Sequence, residues 1–201
     1  MRSILRTAAL FCAAVSASAI WAQQVDAYLG VSTARDGSAG QSIETFSDGT
    51  LYSTPSLGGV YTDFGATVFF SRQFGVGWDA SWRSDHDYAG LQFRPKFNSF
   101  DAVFQPARLR TERIVPEFRA GLGFASVNFD YDDPVSCSQV PGCPSSHHFL
   151  GDAGVAARLY VTHHIFVRPA VNVQYVKNFY LFGSNWVPRY SVSVGYSFGR
   201  E

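Results

Sequence analysis

Cysteine and histidine are scarce in this chain of 201 residues, at three and five, and they define the chemistry to weigh first. Cys137 and Cys143 bracket a Pro-Gly turn in "CSQVPGC", and His147 and His148 follow closely. Thiolate and imidazole together suit zinc, but this spacing matches no zinc-finger pattern, and in an exported chain oxidation competes for the thiols. A Cys137–Cys143 disulfide is therefore the expectation. Closing so short a loop removes only about 2 kcal/mol of chain entropy, so its effect is local stiffening. His163 and His164 fall in the short connection "THH" and read as solvated polar residues. His86, between Asp85 and Asp87, is the one rim cluster suited to hydrolysis, yet no positioned nucleophile accompanies it. No catalytic residue, metal site or cofactor is expected.

The remaining chemistry lies in charged residues embedded in strictly alternating segments. Asp63, Asp79, Glu117 and Asp152 provide one sign; Arg83, Arg94, Lys96, Arg119, Arg158 and Arg168 provide the other. In "FGVGWDASWR", Phe74, Val76, Trp78, Ala80 and Trp82 share one face, while Gly75, Gly77, Asp79, Ser81 and Arg83 share the opposite one. Such a period of two marks a β-strand. The same division puts Glu117 and Arg119 opposite Phe118 and Ala120, Asp152 and Arg158 opposite Val155 and Leu159, and Arg168 opposite Val167. In "LQFRPKFNSF" the polar set is Gln92, Arg94, Lys96 and Asn98.

Alternation alone leaves open which face is the interior. A soluble sandwich or a lipocalin-like barrel has the same period with its apolar residues inside. A water-exposed outer surface would carry long Lys and Glu side chains with Thr. Here the polar faces carry Gly, Ala and Ser with a few charges of both signs, which suits the crowded bore of a narrow barrel. Buried charges are tolerable when paired and hydrogen-bonded, so the ten charged residues are expected to form a lumen polar network. An eight-stranded bore is just filled by side chains, which favours a salt-bridge plug over an ion path.

Eight segments must position these residues: 25–34, 59–70, 74–84, 90–104, 113–131, 149–161, 165–178 and 189–198. None shows a sustained helical period, and past the N-terminus no apolar run approaches the ~18 residues of a spanning helix. Their lengths match the ~9–11 residues a tilted strand needs to cross a bilayer. The connections around "SRQ", "QPARLRTE" and "THH" are short, whereas 35–58, 132–148 and 179–188 are longer. Short turns at one end and long loops at the other characterise outer-membrane barrels. Aromatic residues gather at both ends: Phe69, Phe70, Phe74, Phe104, Phe166 and Phe198 near the turns, and Trp82, Phe129, Tyr131, Phe179, Tyr180 and Trp186 near the loops. Two girdles of this kind are expected at the two headgroup regions. Pro95, inside a strand, suggests a bulge.

The first residues read as an export signal. Arg2 and Arg6 precede the apolar, small-residue run "TAALFCAAVSASAIWA", with cleavage expected after Ala22. Cys12 follows Phe11, not the small residue of a lipoprotein signal. Without Arg2 and Arg6, fourteen basic side chains face sixteen acidic ones, a net charge of −2. Charged residues form only 16% of the chain, and no basic stripe suggests nucleic acid.

With "VPEFRAGLGFASVNF", "VRPAVNVQYV" and "YSVSVGYSF", the chain resembles the small eight-stranded outer-membrane barrels of the OmpA/OmpX-like superfamily over nearly all of residues 23–201. The resemblance implies an all-β, antiparallel transmembrane β-barrel in a bacterial outer membrane. It also implies contact with membrane lipid and lipopolysaccharide, and insertion by the outer-membrane assembly machinery. The expected role is structural or surface interaction through loops 35–58 and 132–148. A narrow passive pore, a soluble lipocalin-like carrier and a lipid-modifying barrel enzyme are the alternatives. Gly199, Arg200 and Glu201 depart from the group by following the closing aromatic, Phe198.

Overall fold

The structure, a computed structural model, describes residues 24–37, 41–44, 49–53, 56–83, 86–88, 91–130, 146–179 and 182–199. The expected signal peptide (1–22), Asp85, Cys137 and Cys143 lie outside the described residues. In chain order the strands are β1 (Gln24–Ala34), β2 (Ser42–Glu44), β3 (Leu51–Ser53), β4 (Tyr61–Phe69), β5 (Phe74–Arg83), β6 (His86–Tyr88), β7 (Leu91–Phe104), β8 (Ile114–Asp130), β9 (Ser146–Tyr160), β10 (Ile165–Val176) and β11 (Trp186–Phe198).

Eight of these, all but β2, β3 and β6, pair antiparallel with their neighbours and close into a barrel. The closure joins the first strand to the last, with Val25 opposite Phe198 and Ala34 opposite Arg189. Closure leaves no backbone edge in a solvent that cannot satisfy one. The short strands β2 and β3 form a hairpin within the first long loop, and β6 pairs with the start of β7.

Burial alternates along all eight barrel strands, and the apolar set faces outward. Phe100 is 62% exposed, Leu122 59% and Leu29 58%, while Asp26 and Arg158 are fully buried. Such a surface in water would forfeit the hydrophobic gain that normally drives folding, ~25 cal/mol for each Å² of apolar surface. In lipid it costs nothing. From Phe74 to Trp82 the outward residues of β5 are all apolar. At ~3.3 Å rise and ~40° tilt this run spans about 20 Å, close to the apolar band of an outer-membrane barrel.

Two expectations about the strands need correction. No bulge occurs at Pro95: β7 and β8 keep one-to-one register through Pro95 and Val127. Pairing with β5 ends at Trp82–Lys96, so Pro95 stands just past that ladder. The interruption falls at Pro169 instead, where β10 and β9 pair at Val167 and resume at Ala170. Among the described side chains, which do not include those of Phe129, Tyr131 and Tyr180, the girdles also lose three of their expected aromatics. Phe69, Phe166 and Phe179 point into the barrel and are almost fully buried, while Phe70, Phe74, Phe104, Trp82, Trp186 and Phe198 remain outside.

Small residues line the bore because large ones opposite need the space. A Cβ added at Gly65 would overlap the Tyr28 ring, and one at Gly77 would overlap the Arg119 guanidinium. Gly65→Val should therefore lower the unfolding free energy by about 1–3 kcal/mol through overpacking. Gly151→Ala, whose new methyl meets open space, should change it by less than about 0.5 kcal/mol. Urea titration of the vesicle-inserted barrel, followed by tryptophan fluorescence, measures both.

Candidate functional site: the filled bore and the outer rim

Three layers of side chains fill the barrel from the short-turn end to the loop end. The lowest centres on Arg158, fully buried, which pairs with Asp26 and reaches Glu117 at 2.6 Å. Its guanidinium carbon lies 4.8 Å from the Phe69 ring centre and 5.3 Å from that of Phe166, so two aromatic faces share its charge. This contact explains why those two rings left the girdle.

The middle layer turns on Glu117. Besides Arg158, its carboxylate meets Arg168 at 3.0 Å and Arg119 at 3.5 Å. Arg119 continues to Asp79 and, at 3.6 Å, to Asp101. Tyr28 links the two, donating its hydroxyl to Asp79 at 2.8 Å and accepting from Arg119 at 2.9 Å. The Arg168 guanidinium also stacks on the Tyr28 ring at 4.7 Å. Higher up, Arg189 pairs with Asp63 at 3.1 Å and donates to Ser32 at 2.8 Å. Asn172 donates to Asp152 at 3.0 Å. Each charge taken from water here is costly, and shared partners on several strands are what offset that cost.

The uppermost layer is apolar. Leu57, Tyr61, Phe93, Phe97, Leu150, Val176, Phe179, Phe182 and Val187 form one buried cluster at the loop-side mouth. Phe179 and Phe182 stack at 4.3 Å, and Phe93 lies 5.9 Å from Phe182. Arg83 bounds this layer, with its guanidinium 5.0 Å from the Phe93 ring centre. It donates to the carbonyls of Ser56, at 2.9 Å, and Gly58. The base of the first long loop is thereby tied across the mouth, and Leu57 is its buried anchor. Between the layers the bore keeps a cavity of about 20 Å³ beside Asp63, Asp79 and Gln174, room for about one water. At the short-turn end it opens into a vestibule of about 890 Å³ lined by Gln24, Gln73, Gln105 and Arg110.

The structure thus brings together Asp63, Asp79, Glu117, Arg119, Asp152, Arg158 and Arg168 in the bore and sets Arg83 at its mouth. Lys96 and Arg94 are corrections. On β7 the inward residues are Phe93, Pro95, Phe97, Ser99 and Asp101, so Lys96 is exposed on the outer face and Arg94 half-buried there. The polar side of upper β7 is its outer side because the interior at that depth is the aromatic cluster. Asp26, Tyr28, Asp101 and Arg189 belong to the network and escaped the sequence reading. The signal for Arg189 and Asp26 was parity: Arg189 shares a face with Ser191 and Ser193, and Asp26 shares one with Gly30 and Ser32. Of the chemistry-bearing histidines, His147 sits on the outer face and accepts or donates to the Ser126 hydroxyl at 2.8 Å. His148 contacts the Lys177 carbonyl oxygen at 2.9 Å and the Phe179 ring edge-on. The backbone of His86 lies in β6, opposite Phe93.

Glu117→Ala would leave three guanidinium groups in the bore without their common partner. Unfolding free energy should fall by about 3–5 kcal/mol. Lys96→Ala, outside the network, should change it by less than about 0.5 kcal/mol. The temperature at which the compact barrel loses its electrophoretic mobility shift would rank the two variants; equal values would contradict the placement of Lys96.

No protein-family model and no curated protein matches this chain. Among solved structures it is similar to the N-terminal β-barrel domain of OprF from Pseudomonas aeruginosa, with 12% identity, TM-score 0.56, and coverage of 88% of this chain and 98% of that one. Ail, the attachment invasion locus protein of Yersinia pestis, aligns with 15% identity and TM-score 0.53 over 87% of this chain and 98% of its own. Neisserial surface protein A aligns with 12% identity and TM-score 0.53 over 88% and 96%. Closed antiparallel strands, an apolar outer band and a bore packed with paired charges give this chain the fold of the small eight-stranded outer-membrane β-barrels.

Proposed function

We propose that this barrel is a closed stem holding its loops at the surface of a bacterial outer membrane, where its role is structural or one of surface interaction. The observation that carries this reading is the filled bore. Ion pairs occupy the lower and middle layers, aromatic rings occupy the mouth, and the cavity between them is about 20 Å³. A hydrated ion needs a continuous column of water, and a carrier needs an apolar pocket of ~300 Å³ or more. The ion-paired layers interrupt such a column, and the vestibule at the short-turn end is lined mostly by polar and charged side chains, which weighs against the narrow pore and the lipocalin-like carrier.

Function then falls to the outside of the molecule. Loop 35–58 carries the β2–β3 hairpin on a base pinned by Arg83 and by Asp36, which accepts from the Leu57 N–H at 2.8 Å. A rigid base beneath a long loop suits a binding surface. A ligand held by a protein of this fold has a precedent in Ail, whose structure was solved in complex with the heparin analogue sucrose octasulfate. Insertion by the outer-membrane assembly machinery fits a barrel whose seam joins its first and last strands.

Conductance across a planar bilayer tests the reading. The wild-type barrel should produce no discrete current steps. Phe93→Ala with Phe182→Ala should still be nearly silent, because the ion-paired layers below remain. Regular wild-type openings would overturn the closed-stem assignment and restore the pore.

A further inference from the structure

At the loop-side mouth His148 makes contacts that the filling of the bore does not require. It stands at the start of β9, on the inward face it shares with Ser146, Leu150 and Asp152. Three groups hold its ring. Nδ1 lies 2.9 Å from the Lys177 carbonyl oxygen, and Nε2 lies 2.7 Å from the Ser146 hydroxyl. Phe179 meets the ring edge-on at 5.2 Å. Leu150 and Phe179 belong to the buried apolar cluster, whereas Ser146 and His148 are each only half-buried. The pair therefore borders the cluster and is partly open to solvent.

These contacts fix the tautomer. A carbonyl oxygen can only accept, so Nδ1 carries the hydrogen, and in the neutral ring Nε2 keeps its lone pair. The Ser146 hydroxyl then donates to Nε2. A serine donating to one imidazole nitrogen, while the other nitrogen donates to a fixed acceptor, lets the histidine take the proton of a nucleophile. The acceptor here is a backbone oxygen in place of a carboxylate, and the turn that carries it is well tied. The Val176 N–H donates to the Asn185 carbonyl at 2.7 Å, and the Lys177 N–H to that of Phe149 at 3.0 Å. The Phe179 N–H donates to the Asn185 side-chain oxygen at 3.0 Å. Asn178 makes the turn at φ 60°, a left-handed conformation that asparagine adopts more readily than most residues. The other serine–histidine contact lacks these features. Ser126, in register with Lys96 on one side and His147 on the other, lies 2.8 Å from His147 Nδ1. It is only 8% exposed, and no described residue holds the His147 Nε2.

We propose that Ser146 is a nucleophilic serine, with His148 as its general base, in a site at the mouth that hydrolyses carboxylic esters. The Ser146 oxygen adds to the ester carbonyl carbon as its proton passes to His148 Nε2. The bond from that carbon to the alcohol oxygen then breaks, and the alcohol leaves with the same proton. A water attacks the acyl-serine in turn, giving its proton to Nε2, and the carboxylic acid departs as Ser146 recovers that proton. In both halves the Lys177 oxygen accepts from Nδ1 and favours the imidazolium that forms. Leu150, Val176 and Phe179 are packed shut in the neighbouring cluster, which suits an ester with a short acyl group. The site borders the closed bore and does not depend on the closed-stem reading.

The test treats the folded barrel in phosphatidylcholine vesicles with a fluorophosphonate, which reacts with activated serines, and locates the label by peptide mass spectrometry. Wild-type protein should be labelled at Ser146. H148Q, checked for folding by its heat-dependent mobility shift, should react at least about a hundredfold more slowly, the low end of what a positioned general base contributes. S126A should react at the wild-type rate. Hydrolysis of p-nitrophenyl acetate should rank the three proteins in the same order. A hydrogen bond of purely structural value would leave Ser146 no more reactive than other serines. Absence of label, equal rates in wild type and H148Q, or label at Ser126 would each overturn the site. The 15N shifts of the wild-type His148 ring, which need no variant, should show a protonated Nδ1 and a bare Nε2; the opposite tautomer would equally overturn it. Label at Ser146 in a barrel that also conducts ions would uphold this site while removing the closed stem.

Discussion

The desolvated carboxylate of Glu117 is the constraint around which the rest of the barrel is arranged. It stands on β8 and is met by guanidinium groups from β8, β9 and β10. Removal of a charge from water costs several kcal/mol, so the interior tolerates it only with several partners in place. Those partners sit at fixed positions on different strands. A slip of one residue would send each of them to the lipid face. The ion-pair network therefore fixes register as much as it fills space. The outer surface cannot do the same, because one aliphatic side chain in lipid is nearly as good as another.

The close approach of small residues follows from the same constraint. Tyr28 can bridge Asp79 and Arg119 only because Gly65 leaves its ring room, and Arg119 reaches Asp79 across the space left by Gly77. Arg158 and Arg168 lie against aromatic faces as well as carboxylates. Aromatic rings in the bore thus extend the set of partners available to buried cations. At the loop-side mouth, Arg83 and Arg189 mark the boundary between charged and apolar filling, stacked over Phe93 and Phe97 respectively. The bore is thus filled in two different ways along its axis, by ion pairs below and by aromatic rings at the loop-side mouth.

Most of the architecture was legible in the residues. Eight alternating segments, their antiparallel order, the β1–β11 seam and the inward placement of Asp79, Glu117, Arg119, Arg158 and Arg168 all follow from a period of two read against small and large side chains. Upper β7 was misread for a definite reason. The rule that polar parity points inward holds where lipid lies outside and charges lie inside. At headgroup depth both media change together: the outside becomes polar and the inside becomes an aromatic cluster. Lys96 and Arg94 obey the local media, so their parity reverses in meaning although the strand itself never shifts register. Phe69, Phe166 and Phe179 mislead in the converse way, since a ring near a strand end looks the same whether it serves a girdle or stacks on a buried guanidinium.

Sequence alone determined the strand count, the alternation, and the side of each strand that meets lipid through the membrane's apolar core, because there the contrast between the two media is largest and each residue responds to it singly. Tertiary structure alone decided which charges are partners, which rings leave the girdle, that the mouth is closed, and that Lys96, Ser126 and His147 share one row. These depend on register between segments separated by tens of residues. A hydrogen-bonded ladder sets that register, and no local pattern along the chain records which rung faces which.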